Sequence, residues 1–182
     1  MIDSLRQYDE VISDCKNVFM KKTKDYGTAW RILRLPSLTD QILIKASRIR
    51  SIEEKSEQKV DEPVDSEYIG IVNYCIIAMI QHSLDDTAEM EMEIDKTEMM
   101  YDKYVIASRT LFEAKNHDYD EIWRDMRISS YTDLILMKIL RIKQIEDNQG
   151  LTLISEGVEA NYMDIMNYAI FALIKLSEKS ES

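Results

Sequence analysis

The chain has 182 residues, of which 45% are hydrophobic and 31% charged, and its formal net charge is −11. This length suffices for one ordinary domain or two small ones, and the acidity argues against a protein that wraps long nucleic acid or binds an anionic membrane. The chain has only 4 glycines and 2 prolines and is rich in Ile, Met, Leu, Glu and Lys, which favours an all-α protein.

Two features bear on the compartment of the protein. No apolar run reaches the length of a transmembrane helix, and the N-terminus is polar and charged, unlike a signal peptide. Cys15 and Cys75 both fall in apolar helical stripes, which indicates buried thiols. We therefore expect a protein of the reducing cytoplasm that has no membrane contact.

The first helix is predicted to begin at Asp3 or Ser4, since either side chain can cap a helix. It is predicted to fray near Lys24, just before the turn signal Asp-Tyr-Gly. Between these ends the apolar residues are spaced by three and four positions, which defines one face of a helix. These residues are Leu5, Tyr8, Ile12, Cys15 and Phe19.

The second helix is predicted from the capping-box pattern Ser37-Leu-Thr-Asp40, which follows a loop over 25–38. The helix continues to about Glu57. Its buried face is predicted to consist of Ile42, Ala46, Ile49 and Ile52. After a polar loop, a third helix is predicted over about 64–83.

Residues 85–97 form an acidic linker whose conformation stays open, with Thr97 as the expected cap of the next helix. Three more helices are predicted at about 98–116, 131–148 and 158–178. The chain thus divides into a first helical repeat (1–84), the linker (85–97) and a second helical repeat (98–182).

The two halves of the chain are copies of one unit. Residues 8–54 align with 101–147 without a gap, at an offset of 93, and 19 of 47 positions are identical. One extra residue within 148–155 makes the offset 94 in the third helix. Because three helices bury one another only partly, we expect two tandem three-helix repeats packed as one six-helix pseudo-dimeric bundle with an approximate internal two-fold axis.

Both copies retain a pair of cations on the second helix. The pairs are Lys45 with Arg48 and Lys138 with Arg141, each at a spacing that places both side chains on one helix face. Adjacent cations repel each other unless an anion lies between them, and a phosphate suits the fork of Arg and the point charge of Lys. The alternative is a set of salt bridges to acidic side chains, of which the chain has many.

The loop before this helix keeps its aromatic residues in both copies. Rings beside cations suit the stacking of a nucleobase and the binding of its polar edge. The alternative is that the rings anchor the loop on the core and Asp caps a turn. The predicted base-binding residues are Asp25, Tyr26, Trp30, Asp118, Tyr119 and Trp123.

Acidic residues open the third helix of each copy. Two carboxylates three residues apart can hold one Mg²⁺, although acids at a helix N-terminus are also favourable without a metal. The second copy adds a further acid where the first has Gly70. The predicted metal ligands are Glu62, Asp65, Glu156, Glu159 and Asp164.

Two more polar positions recur. Asn73 and Asn167 lie within the third helices, and because Asn is a poor helix former, each is expected to make a specific hydrogen bond, either between helices or to a ligand. Asp40 and Asp133 are expected to be the third helical residues of capping boxes.

These motifs resemble a known family. The patterns K-x-x-D-Y-x-x-x-W, D-x-x-x-x-K-x-x-R-I, E-x-V-[DE] and, in the second copy, D-I-x-N-Y-A are similar to those of the nucleotide modification associated domain, type one. This resemblance covers nearly the whole chain, once per half, and implies a bacterial helical domain of unknown function that is often duplicated and occurs near nucleotide-modification genes.

The layout is also similar to that of the all-α nucleotide pyrophosphatases of the MazG and dimeric dUTPase type. Those enzymes bind Mg²⁺ with E-x-x-E and E-x-x-D pairs on neighbouring helices and split a nucleoside triphosphate into monophosphate and pyrophosphate. Glu62 with Asp65, and Glu156 with Glu159, match only the second pair. The second helices carry Lys-x-x-Arg in place of the first pair, which favours phosphate binding over hydrolysis.

Two hypotheses follow. In the first, the protein is cytoplasmic and binds a nucleotide or another phosphate-bearing small molecule. This hypothesis includes the activity of a Mg²⁺-dependent (deoxy)nucleotide pyrophosphohydrolase. The second is a non-enzymatic helical interaction or scaffold module, in which the repeated polar residues fix the angle between the repeats. Further dimerisation of whole molecules is left open.

Overall fold

The computed structural model describes residues 3–85 and 87–180, which contain six α-helices and no strand. The all-α prediction is confirmed. Both predicted repeats extend at their outer ends beyond the described residues, and the linker includes residue 86, which is also outside them. The helices are α1 (Ser4–Tyr26), α2 (Leu35–Lys55), α3 (Val64–Ser83), α4 (Ile94–Tyr119), α5 (Ile128–Asp147) and α6 (Val158–Ser180), with short 3₁₀ helices at Ala29–Ile32 and Ile122–Asp125.

The ends of α1 follow from its capping residues. The Asp3 carboxylate accepts the backbone N–H of Arg6 at 3.1 Å, so Asp3 is the cap and the prediction is confirmed. The helix ends at Tyr26, and the next residue, Gly27, has a φ of 60°. Glycine adopts this positive φ easily because it has no side chain. Asp120 has the equivalent position after α4 with φ 55°, and Asp tolerates this left-handed conformation better than most residues.

The predicted capping box at Ser37 and Asp40 is wrong. Helix α2 begins earlier, at Leu35, and no side chain caps it. Pro36 lies in the first turn, where its missing N–H costs no helical hydrogen bond and its fixed φ suits the helix. Ser37 and Asp40 are therefore already helical, and their side chains are free for other contacts.

Within the linker, residues 85 and 87–93 are not helical, whereas 94–97 belong to α4, and the predicted cap at Thr97 is wrong. Helix α4 begins at Ile94 after Glu93, and the Thr97 hydroxyl donates to the Glu93 carbonyl at 2.9 Å from inside the helix. The linker lies against the first repeat. Thr28 Oγ1 donates to the Met90 carbonyl at 2.8 Å, and Arg31 donates to two further linker carbonyls.

One hydrophobic core joins both repeats. Helices α3 and α6 pack against each other, and each also packs against the second helix of its own repeat. Helices α2 and α5 meet across the boundary between the repeats, as do α1 and α4. The core thus contains residues of all six helices, among them the fully buried Tyr8, Ile42, Ile76, Ile139 and Tyr162. The predicted six-helix bundle is confirmed.

Hydrogen bonds cross the boundary in two matching sets. Thr39 of α2 donates to Glu146 at 2.8 Å and bonds the Tyr162 hydroxyl at 2.7 Å, both in the second repeat. The equivalent set in the opposite direction consists of Thr132, Glu53 and Tyr68, with both distances at 2.9 Å. Because each repeat donates and accepts the same bonds, the arrangement has the approximate two-fold symmetry expected of the duplicated sequence.

Asp40 and Asp133 belong to the same boundary. Asp40 accepts from Lys143 at 2.5 Å, and Asp133 lies 3.5 Å from Arg50, so each aspartate faces a cation of the other repeat. Their retention in both copies is explained by these ion pairs and not by capping.

Candidate functional site

A cavity of about 450 Å³ opens in the first repeat, between the end of α1, the first 3₁₀ helix, α2 and α3. This volume lies within the usual range for small-molecule sites. Five residues predicted as a site line the cavity, although they are far apart in the sequence: Tyr26, Trp30, Lys45, Glu62 and Asn73.

Aromatic rings supply part of the lining. Trp30 is half-buried, and its buried Nε1–H has no hydrogen-bond acceptor among residues 3–85 and 87–180. Tyr74 of α3 also lines the cavity, and the Lys45 ammonium lies 5.8 Å from the centre of its ring. Tyr26 is 71% exposed and therefore lies at the rim, while the predicted Asp25 is exposed and is not among the lining residues.

The first cation pair meets an acid that the sequence analysis missed. Glu67 of α3 is only 5% exposed, and it accepts from Arg48 Nη1 at 2.9 Å and lies 3.6 Å from Lys45 Nζ. Arg48 is further engaged by the backbone carbonyl of Glu62 at 2.9 Å. Arg48 is thus used within the structure, whereas Lys45 forms a longer ion pair of 3.6 Å and lines the cavity.

A sequence signal for Glu67 did exist. Two like charges on one helix face need an anion, and Glu67 is one of three acids near the start of α3, beside Glu62 and Asp65. Which of them reaches α2 depends on how α3 is rotated against α2. The spacing pointed to Glu62 and Asp65, but the burial of Glu67 is a property of the packed helices.

The second repeat places its tryptophan differently. Trp123 is 5% exposed, stacks on Phe171 with ring centres 4.7 Å apart, and donates from Nε1 to Asn116 at 3.0 Å. Phe171 is at the position that Ile77 has in the first repeat. The larger ring fills this region, so Trp123 anchors the core. The predicted Asp118 and Tyr119 are exposed.

In the second cation pair, Lys138 meets an acid and, among the described residues, Arg141 does not. Lys138 and Lys115 donate to the two oxygens of Asp164 at 2.7 and 2.9 Å. Burial by itself raises the pKa of the Asp164 carboxyl, but the hydrogen bonds from the two lysines outweigh burial and hold the pKa below its ordinary value. Arg141 is exposed and has no ion-pair partner in the described part of the chain, because Asn161 replaces the buried Glu67.

The five predicted metal ligands are not brought together. Glu62, Asp65, Glu156 and Glu159 are exposed, and Asp164 is paired with lysines. Within the described residues, no group of three or more His, Cys, Asp or Glu side chains is arranged to hold a metal ion.

The two repeated asparagines join the repeats. Asn73 accepts from the Tyr101 hydroxyl at 2.8 Å and donates to the Cys15 carbonyl at 3.0 Å. Asn167 accepts from Ser108 at 2.8 Å, and Ser108 in turn accepts from the Tyr8 hydroxyl at 2.9 Å. The structure therefore assigns both asparagines to hydrogen bonds between helices, even though Asn73 also borders the cavity.

The fold and the cavity define a tandem-duplicated, all-helical protein with a cavity of about 450 Å³ in its first repeat. The chain belongs to the nucleotide modification associated domain 1 family, whose model matches residues 22–82 and 115–176, once in each repeat. No curated protein and no solved structure matches the chain. The similarity to all-α nucleotide pyrophosphatases stays a prediction. None of the described helices combines the length and apolarity that a membrane span requires.

Proposed function

We propose that the protein binds a nucleotide, or a closely similar phosphate-bearing small molecule, in the cavity of the first repeat. The observation that carries this proposal is that Trp30, Tyr74 and Lys45 line one cavity of about 450 Å³. Flat rings beside a cation suit a molecule with a planar base and an anionic group. The cytoplasm, which is rich in such molecules, is the proposed compartment.

The polar groups of the cavity support the same ligand class. The buried Nε1–H of Trp30 lacks an acceptor among the described residues, and an unpaired buried donor costs about 1–3 kcal/mol. A ring nitrogen or carbonyl of a base is an acceptor that removes this cost. Tyr26, at the rim, is placed to cover a bound ring.

The proposal is limited to binding. The predicted Mg²⁺ would need oxygen ligands from several side chains, and the described residues hold no group of three that fits it. Of the predicted ligands, Glu62 alone lines the cavity. We therefore propose no metal-dependent hydrolysis. Titration of nucleotides with and without Mg²⁺ tests the Mg²⁺ prediction.

A scaffold role is the second candidate, and a specific observation favours it. The repeated Thr39, Glu146, Asn73 and Asn167 all make hydrogen bonds within the structure. These residues need no ligand to account for their retention in both copies. They do not account for the cavity or for the orphan Trp30 donor.

The chain contains 2 tryptophans, which makes fluorescence a site-specific test. The variant Trp123→Phe leaves Trp30 as the single tryptophan, and Trp30→Phe leaves Trp123 as the matched control. Ribo- and deoxynucleotides are titrated with and without Mg²⁺. We expect saturable quenching of Trp30 and not of Trp123, with a rise in melting temperature, because a ligand at 100 times its Kd adds about 2.7 kcal/mol.

Two other outcomes are informative. If no nucleotide changes either the Trp30 emission or the melting temperature, the nucleotide proposal is overturned and the scaffold role is favoured. If binding requires Mg²⁺, our proposal that the ligand binds without a metal is wrong. Pyrophosphate release is then the next activity to be assayed.

A further inference from the structure

The duplicated sequence allows one repeat to be compared with the other at the cavity. Lys22 and Lys45 of the first repeat correspond to Lys115 and Lys138 of the second. In the second repeat the carboxylate of Asp164 lies between the two lysines, at 2.9 and 2.7 Å. An internal anion thus satisfies this pair of cations.

The first repeat has the same two lysines but no carboxylate at the position of Asp164. The carboxylate that Lys45 meets is Glu67, which lies 3.6 Å from Lys45 Nζ and accepts from Arg48 at 2.9 Å. Gly70 stands where the second repeat has Asp164, and the Lys45 side chain lies over it, so that an added Cβ would be 2.7 Å from Lys45 Cε and 3.0 Å from its Nζ. Lys22 is exposed and has no partner in the described part of the chain. Both lysines and Gly70 line the cavity.

We infer that the anionic group of the ligand binds between Lys22 and Lys45 over Gly70, at the place that the Asp164 carboxylate has in the second repeat. This inference rests on the proposed function and specifies its substrate class. Because Arg48, at 2.9 Å, balances the charge of Glu67, the two lysines remain to match one terminal phosphate monoester in charge. A longer polyphosphate would approach the carboxylates of Glu62 and Glu67, which also line the cavity, and like charges repel.

The ligand class is therefore a nucleoside monophosphate, bound once per chain. The second repeat is closed to the same ligand because Asp164 already holds its lysines and because Phe171 stacks on Trp123 in the equivalent region. In the second repeat, the Asp164 carboxylate takes the place of the ligand's anionic group.

The experiment transfers that anion to the first repeat. Binding of nucleoside 5′-monophosphates, the parent nucleosides and the triphosphates is measured by calorimetry for Gly70→Asp and for Gly70→Asn, a variant of the same size without the charge. We expect a stoichiometry of one, tighter binding of monophosphates than of the other two classes, and at least a tenfold weaker affinity for Gly70→Asp than for Gly70→Asn.

A second pair of variants keeps the test decisive if the Gly70 variants fail to fold. Lys22→Ala is expected to weaken monophosphate binding at least tenfold, whereas Lys21→Ala, an exposed lysine that does not line the cavity, is expected to leave it unchanged. Equal affinities for Gly70→Asp and Gly70→Asn, or for Lys22→Ala and Lys21→Ala, would overturn the inference while leaving nucleotide binding intact. Nucleosides or triphosphates that bind as tightly as monophosphates would also overturn it.

Failure of the proposed function is recognised separately. If the wild-type protein binds no nucleotide, inorganic phosphate is titrated while the side-chain NMR signals of Lys22 and Lys45 are followed. Saturable shifts that vanish in Gly70→Asp would support the anion site alone. Unchanged signals would overturn it together with the nucleotide proposal.

Discussion

Gly70 of α3 and Asp164 of α6 occupy equivalent positions in the two repeats, but only Asp164 supplies a carboxylate, which binds two lysines. This difference separates a repeat in which Lys22 and Lys45 line an open cavity from a repeat in which a carboxylate lies between the equivalent Lys115 and Lys138. It also makes each repeat a control for the other, because equivalent substitutions have different expected effects.

Removal of the Asp164 carboxylate is predicted to destabilise the protein. Asp164→Ala leaves Lys138 and Lys115 without their anion, and because the Lys138–Asp164 pair is largely buried, we expect a loss of about 3 kcal/mol in the free energy of unfolding. Glu159→Ala, which removes an exposed acid from the first turn of the same helix, is the control and should cost less than about 1 kcal/mol. Urea unfolding measures both, and similar losses would contradict the prediction.

The same carboxylate predicts a pH dependence. The pKa of Asp164 is held below its ordinary value, because the lysine hydrogen bonds outweigh the effect of burial. A group whose pKa is lower in the folded state stabilises fully above its unfolded pKa of about 3.9 and loses that contribution as the pH falls through the folded pKa. The difference in stability between wild type and Asp164→Asn should thus be constant above about pH 5 and shrink as the pH falls below about 3.9. A constant difference throughout would show that Asp164 does not titrate in this way.

The two arginines are predicted to differ in their effect on stability. Arg48→Ala removes the closest partner of the buried Glu67, so we expect a loss of about 2 kcal/mol. Arg141→Ala removes an exposed side chain without an ion-pair partner among the described residues, so we expect a change within about 0.5 kcal/mol. Thermal unfolding distinguishes them, and equal shifts in Tm would refute the assignment of Glu67 to Arg48.

The two tryptophans provide a further matched pair. Trp123→Phe loses the hydrogen bond to Asn116 and part of the stack on Phe171, with an expected cost of about 1–3 kcal/mol. Trp30→Phe removes a buried N–H that has no acceptor among the described residues, so the unfolding free energy should stay within about 1 kcal/mol of wild type. A larger loss for Trp30→Phe would show that its indole N–H is already satisfied.

The charged form of the Glu146 side chain is predicted to stabilise the folded protein less than the neutral form does. Burial is the main cause that raises its pKa. An acid whose pKa is higher in the folded state destabilises above the folded pKa, and this cost disappears as the pH falls below the unfolded pKa. Glu146→Gln retains an oxygen for the Thr39 hydroxyl, so it should gain less than about 1 kcal/mol at neutral pH. This gain should shrink as the pH falls towards the unfolded pKa of about 4.3 and disappear below it. Glu57→Gln, which is exposed, is the control for urea unfolding across this range.

Much of the fold could be predicted because it depends on short-range patterns. The steps of three and four from Tyr8 to Phe19 locate a buried helix face within one segment, and the structure buries both of these residues. The identity between the two copies predicted a pseudo-symmetric bundle, and Cys15 and Cys75 are buried free thiols as expected. These features need no knowledge of which helix lies beside which.

The helix starts were less predictable because tertiary contacts compete with local ones. Asp40 fits a capping box by spacing, but its carboxylate pairs with Lys143 of the other repeat. Thr97 fits an N-cap, yet the helix begins at Ile94 and the hydroxyl bonds back to Glu93. An ion pair with a distant residue decided the first case, and an earlier helix start decided the second.

The sequence by itself determined the duplication, the helical class and a set of repeated polar residues that includes Lys45, Trp30 and Asn73. Only the tertiary structure decided what each of them does, because the rotation of α3 against α2 and α1 sets which side chains meet. That rotation buries Glu67 against Arg48, directs Asn73 to Tyr101 and leaves Lys45 facing a cavity. Equivalent residues of the two repeats diverge because Asp164 adds a carboxylate where Gly70 has no side chain, and because Phe171 adds a ring where Ile77 has an aliphatic side chain.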